Sequence, residues 1–194
     1  MKTGHVVTGL LMLVVLTLQQ DRREAFRQWR KGILAEHNKY RRMARKGEIP
    51  CHPAASKMPM LKWDRKLTID AVKWSRICKM EHDYSTEDGE NLAYDTNKLN
   101  SAVLPWFMEY KHYVFGPLPE QLLPVVTHYT QIVWANTTKL GCFKRLCPSF
   151  EAWGRSVENA YFTVCRYSPK GNWQGDLPYI PKQSRVQTPL PCER

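Results

Sequence analysis

Six cysteines, at positions 51, 78, 142, 147, 165 and 192, constrain this 194-residue chain more than any other feature. Whether they become bridges, metal ligands or reactive thiols depends on the compartment in which the chain folds. The N-terminus speaks to that. Lys2 precedes an apolar run from Val6 to Leu18, broken only by Thr8, Gly9 and Thr17, and charge returns at Asp21, Arg22 and Arg23. A run of about a dozen is too short for a bilayer, which takes roughly 20 apolar residues, and it has the anatomy of a secretory leader. Residues 1–20 are therefore expected to be a signal peptide. No Ala-x-Ala marks its end, and Val15-Leu16-Thr17 is the nearest substitute. No second run approaches membrane length, so the mature protein is expected to be soluble and secreted.

An oxidising compartment favours disulfides over thiolate ligands, and no Cys-x2-Cys pair suggests a zinc finger. Spacing alone does not choose among the possible pairings. The sequon Asn136-Thr137-Thr138 offers Asn136 for N-glycosylation if it is exposed.

The length suits a single domain. A hydrophobic fraction of 43% and an aromatic fraction of 11%, with seven Trp, supply a core and exclude general disorder. The formal net charge is +11, and ten basic against four acidic residues fall between Asp21 and Glu48. The acidic residues are interleaved, and a secreted protein rarely meets nucleic acid. The stretch reads as a solvated helix face with no nucleic-acid partner.

Ile33, Leu34, His37, Tyr40, Met43 and Ala44 recur at steps of three and four, predicting an amphipathic helix over 27–46 that ends at Gly47 and Pro50. Asp64 is an N-cap candidate for a second helix carrying Leu67, Ala71, Trp74 and Cys78. A third is expected from Asn100 or Ser101, with Trp106, Glu109/Tyr110 and Tyr113 inward, and a fourth over His128–Trp134. The second half changes character. Leu140-Gly-Cys-Phe and Tyr161-Phe-Thr-Val-Cys-Arg-Tyr read as short antiparallel strands. The tail from Gly175, with Pro178, Pro181, Pro189 and Pro191, is expected to be extended along the surface. Helices followed by strands without alternation give an α+β or sandwich-like domain. Boundaries are expected at 1–20, 21–173 and a Pro-rich extension over 174–194.

Four ordered segments resemble the CAP superfamily of cysteine-rich secretory proteins, antigen 5 and pathogenesis-related protein 1. They are Glu36-His-Asn-Lys-Tyr-Arg41; Cys78-Lys-Met-Glu-His82 leading to Gly89-Glu-Asn-Leu92; His128-Tyr-Thr-Gln-Ile-Val-Trp134 with Gly141-Cys142; and Tyr161-Phe-Thr-Val-Cys165 through Gly171-Asn-Trp173. The Gly47–Cys51 insert and short tail are most similar to the helminth venom-allergen-like branch. Thr127 and Thr163 depart from the residues usual at their positions.

The resemblance implies an α-β-α sandwich around a three-stranded or slightly larger antiparallel sheet, stapled by Cys78–Cys147 and Cys142–Cys165. That leaves Cys51 and Cys192 for each other. It also implies a cleft tetrad of His82, Glu90, Glu109 and His128. Two imidazoles, His82 and His128, would hold zinc or another divalent cation weakly, since dedicated sites use three or four ligands. No cofactor is expected to be required. No Ser or Cys nucleophile stands beside the tetrad, and neither His-Glu-x-x-His nor Gly-x-Ser-x-Gly occurs, so no catalytic residue is assigned.

Lipid binding is the leading functional expectation from the resemblance. A sterol would meet Tyr110, Tyr113 and Phe115, rimmed by Pro117, Leu118 and Pro119, and a fatty acid would lie among Ile33, Leu34, Tyr40, Ile132 and Val133. The alternatives are an immunomodulatory module that binds a host plasma or immune protein, and a metal-dependent hydrolase using the tetrad.

Overall fold

The computed structural model describes residues 3–120 and 124–183. The chain divides into two compact units, one ending at Ile33 and the other beginning at Leu34. The division falls within the first helix, α1 (Thr3–Lys46). In the first unit the apolar side chains of Met12, Val15, Leu16 and Leu18 are exposed, and Phe26 lies against Trp29. No described helix is long and apolar enough to cross a membrane.

In the second unit, β1 (Lys62–Trp63), α2 (Arg65–Trp74), β2 (Gly89–Asp95), α3 (Val103–Met108), α4 (Pro124–Ile132), β3 (Lys139–Ala152) and β4 (Arg155–Ser168) follow α1. The class is α+β, as expected. The sheet has the order β1-β3-β4-β2. Its three long strands are antiparallel, and the two-residue β1 adds a parallel edge against Lys139 and Leu140.

Asp64 starts α2 as the sequence predicts, its carboxylate accepting from the Leu67 amide at 3.0 Å. α2 lies so close to β3 that a Cβ at Gly141 would collide with the Thr68 backbone. Ala71 of α2 packs with Leu92, Phe150, Ala152, Ala160, Phe162 and Val164 in one buried cluster. On the opposite sheet face, Tyr167 lies 2.8 Å from His37 Nε2, and Asn91 reaches the His128 carbonyl at 3.1 Å. Helices therefore cover both faces.

Arg41 joins this second layer. Its guanidinium is fully buried and donates to the carbonyls of Pro59, Ile132, Trp134 and Thr137 at 2.8–2.9 Å. Burial lowers its proton affinity, but the C-terminal carbonyls of α4 are where a helix favours a cation.

Cys78 is bridged to Cys147 and Cys142 to Cys165. Cys51 is also disulfide-bonded, and its expected partner Cys192 lies outside the described residues. The tail is more deeply seated than a surface strap. Tyr179 is buried and donates to the Pro53 carbonyl, and Ile180 and Lys182 exchange backbone hydrogen bonds with Ser56 and Ala54.

Candidate functional site

The four tetrad residues form two histidine–glutamate pairs. His82 Nδ1 donates to Glu90 Oε1 at 2.8 Å, and His128 Nδ1 donates to Glu109 Oε1 at 2.6 Å. A carboxylate accepts only, so in the neutral ring each bond puts the proton on Nδ1 and leaves Nε2 with its lone pair. Neither Nε2 has a hydrogen-bond partner among the described residues. The His82 side chain is 47% exposed and that of His128 is 21% exposed.

The pairs are held differently. Glu109 follows α3 on a 3-10 turn, and its Oε2 accepts from the backbone amides of His128 and Tyr129 at 3.0 and 3.2 Å. Trp106 stacks on the His128 ring, with centroids 5.7 Å apart. Glu90 sits on β2 directly opposite Arg166 of β4. Its Oε1 also accepts from the Asp83 amide at 3.1 Å. Its Oε2 lies 3.1 Å from Arg166 Nη2, an ion-pair contact without hydrogen-bond alignment. The same Nη2 donates to Asp83 Oδ2 at 2.6 Å. Burial pulls the Asp83 carboxyl up, but hydrogen bonds from Ser85 and the Arg166 guanidinium outweigh it and hold it below its usual range.

Both pairs attach to the same end of one strand, since Glu90 holds His82 and neighbouring Asn91 holds the His128 carbonyl. Successive side chains leave opposite faces of a strand, and β2 is an edge strand. Glu90 and Asn91 thus tie the His82 ring and the His128 backbone to adjacent positions of that strand. No set of three His, Cys, Asp or Glu side chains converges as a metal cluster among the described residues. Two imidazole nitrogens completed by water suit a weak, exchangeable cation and not a closed structural site.

The loop aromatics gather around a residue that the sequence did not single out, His52. Its ring stacks on Tyr113 and meets Tyr110, Phe115 and Tyr129 edge-on, with centroids 5.4–6.1 Å apart. Tyr113 is buried, Tyr110 and Phe115 are half-buried, and Val114 between them is 81% exposed. His52 Nδ1 donates to the Pro50 carbonyl at 2.7 Å, whereas its buried Nε2 has no hydrogen-bond partner among the described residues. Burial pushes the His52 imidazole below its ordinary value, partly offset by the Pro50 carbonyl.

Of the residues expected to line a fatty-acid groove, Tyr40, Ile132 and Val133 are buried and Leu34 is half-buried. Ile33 is also buried, but it closes the N-terminal unit. Asn136 is exposed.

Arg166, Asp83 and His52 are the site residues missed from sequence. Arg166 had a signal: it is the single charged residue of the run Tyr161–Tyr167, and a charge in a buried strand needs a partner.

Residues 34–167 match the profile described as "CAP: Cysteine-rich secretory protein family". The chain belongs to the CAP family. It is 38% identical over 173 residues to human "Cysteine-rich secretory protein LCCL domain-containing 2", covering 81% of this chain and 33% of that protein. It is 36% identical over 163 residues to "Peptidase inhibitor 15" of Gallus gallus, covering 76% and 60%. The chain thus spans a third to three fifths of these relatives' lengths. Among solved structures, Na-ASP-1 superposes with a TM-score of 0.68 at 27% identity, covering 79% of this chain and 42% of that one. NaASP2, solved with Zn2+, gives 0.66 at 26%, covering 84% and 87%. Venom allergen-like protein 4 of Schistosoma mansoni gives 0.63 at 29%, covering 79% and 94%. The CAP match includes His37, His82, Glu90, Glu109, His128 and Arg166, so both histidine–glutamate pairs lie within the family's own segment.

Proposed function

We propose that this chain is an extracellular CAP protein that binds a small apolar ligand, a sterol first and a fatty acid second, without catalysing a reaction. The supporting observation is the loop between α3 and α4, where Val114 stands exposed between half-buried Tyr110, buried Tyr113 and half-buried Phe115. On α3, Leu104 and Met108 are exposed one turn apart and extend the apolar surface. Rigid aromatic area loses little entropy on binding. Burying about 100–200 Å² of ligand would contribute about 2.5–5 kcal/mol.

The test is retention of labelled cholesterol by the purified protein, competed by unlabelled sterol. Val114→Asp, at an exposed position, is expected to cut retention without lowering the unfolding midpoint. No retention by the parent protein would remove the reading. Capture of a host plasma or immune protein that lipid loading leaves unchanged would favour the protein-partner alternative.

A second reading, weak divalent-cation binding at His82 and His128, is supported by their two unpartnered Nε2 atoms. NaASP2, solved with Zn2+, makes zinc the first cation to try. When bound, such an ion would supply positive charge and a polarised water. Glu90 and Glu109 orient the rings that would hold it. Zinc uptake by the parent protein that disappears in His82→Ala/His128→Ala supports it. Substrate turnover lost with the same pair would instead favour the hydrolase.

Export rests on the leader-like residues 1–20, where Met12, Val15, Leu16 and Leu18 are left exposed. Mass spectrometry of protein secreted from a eukaryotic host would read both its removal and a glycan on Asn136.

A further inference from the structure

We infer that Arg166, clamped by Asp83, is a positioning residue that fixes the protonated nitrogen of His82, and hence which nitrogen His82 presents to a cation. The inference rests on the reading of His82 and His128 as ligands. Three observations carry it.

First, Arg166 is 1% exposed and faces two carboxylates, those of Asp83 at 2.6 Å and Glu90 at 3.1 Å, through one nitrogen. Second, the Asp83 segment closes back on Glu90, because the Asp83 amide donates to the same Oε1 that accepts from His82. Glu90 is thus held at one oxygen by a backbone amide and at the other by a buried cation, and it has one direction left for the ring. Third, the His128 pair has no such cation among its contacts: Glu109 is held by two backbone amides of α4. The molecule therefore contains two histidine–glutamate pairs of like geometry, of which one depends on Arg166. His128 is an internal control.

The chemistry follows from the donor inventory. A guanidinium has no acceptor and cannot compete for the His82 proton. With Glu90 aimed, Nδ1–H is the favoured tautomer and Nε2 keeps its lone pair. Without Arg166, Glu90 has no buried cation to face and is free to turn away, and the ring divides between tautomers. Loss of a partner behind a ligating histidine typically weakens a metal site about 10- to 100-fold.

The test uses the full secreted chain labelled with 15N at histidine and long-range 1H–15N correlation on metal-free protein above neutral pH. The parent protein is expected to show both His82 and His128 as Nδ1–H tautomers. Arg166→Met is expected to move the His82 ring nitrogens toward a tautomer mixture and leave those of His128 in place. Arg166→Lys, which keeps a cation but loses the planar fork, is expected to restore part of the shift. Should Arg166→Met fail to fold, seen as loss of the His128 signals, Asp83→Asn removes the clamp more gently and is expected to shift His82 in the same direction. Unchanged His82 nitrogens in a folded variant would overturn the inference. Zinc titration of the same samples separates the two ideas. A tautomer shift with zinc bound about 10- to 100-fold more weakly supports both. A tautomer shift in a protein that never takes zinc keeps the positioning role and removes the cation reading.

Discussion

His52 stacks on Tyr113 with ring centroids 5.7 Å apart and 24° between their planes. Tyr110, Phe115 and Tyr129 close around the same ring, and its buried Nε2 has no acceptor among the described residues to receive a second proton's hydrogen bond. The folded protein therefore prefers neutral His52, and its proton affinity is lowered from the ordinary 6.5. The unfolded chain takes up the proton first. Stability from neutral His52 is fully present above that unfolded value and is lost as pH falls below it. The urea midpoint is expected to drop from pH 7 to pH 5, and His52→Phe is expected to flatten that slope. An unchanged slope in His52→Phe would place the effect elsewhere.

Hydrogen bonds from Ser85 and the Arg166 guanidinium hold the Asp83 carboxyl below its usual range despite its burial. Its contribution is present above the unfolded carboxyl value and is lost as pH falls through the lower folded one. Asp83→Asn is expected to be less stable than the parent at neutral pH, with the two converging as pH falls through the lowered folded value. Parallel curves throughout the acid range would count against the pairing with Arg166.

The two described bridges close loops of unequal length, with sequence separations of 69 for Cys78–Cys147 and 23 for Cys142–Cys165. Chain entropy assigns them about 4 and about 3 kcal/mol. Cys142 and Cys165 are already held opposite each other by the β3–β4 ladder. Replacing Cys78 and Cys147 with Ser is expected to lower the thermal midpoint more than replacing Cys142 and Cys165. Calorimetry giving the reverse order would reject the loop-length account.

Gly141 lets the first turn of α2 rest against β3. Gly141→Ala pushes a methyl group into the Thr68 backbone, which has no rotamer with which to yield. A cost of about 1–3 kcal/mol is expected from overpacking, read by equilibrium unfolding.

The elements legible in the sequence were those whose period matched their burial. The steps through Tyr40 and Ala44 marked the part of α1 that is buried, and Asp64 marked the start of α2. α3 proved shorter than expected, Val103–Met108 continuing as a 3-10 turn through His112, and that turn is what aims Glu109 at His128. α4 begins at Pro124, ahead of the expected His128. The strands ran longer than their apolar cores, to Ala152 and back from Arg155, because the hairpin ladder forms through backbone groups whatever the side chains. β2 hid within the Gly89-Glu90-Asn91 motif, whose polar residues face partners from other elements. The tetrad was legible as a motif. The role of Arg166 was not, since its partner Asp83 lies 83 positions away and no local pattern records such a pairing.

Arg41 anchors four carbonyls from the chain around Pro59 and from the end of α4 onward. That rivet holds the backbone at Ile132, one of the residues expected to meet an acyl chain. The end of α4 cannot move away from Arg41 without stripping a buried guanidinium of its acceptors. A fatty acid lodged there would have to thread in lengthwise, and its exchange would be paced by breathing of the helix ends, so slow loading would be the mark of that route.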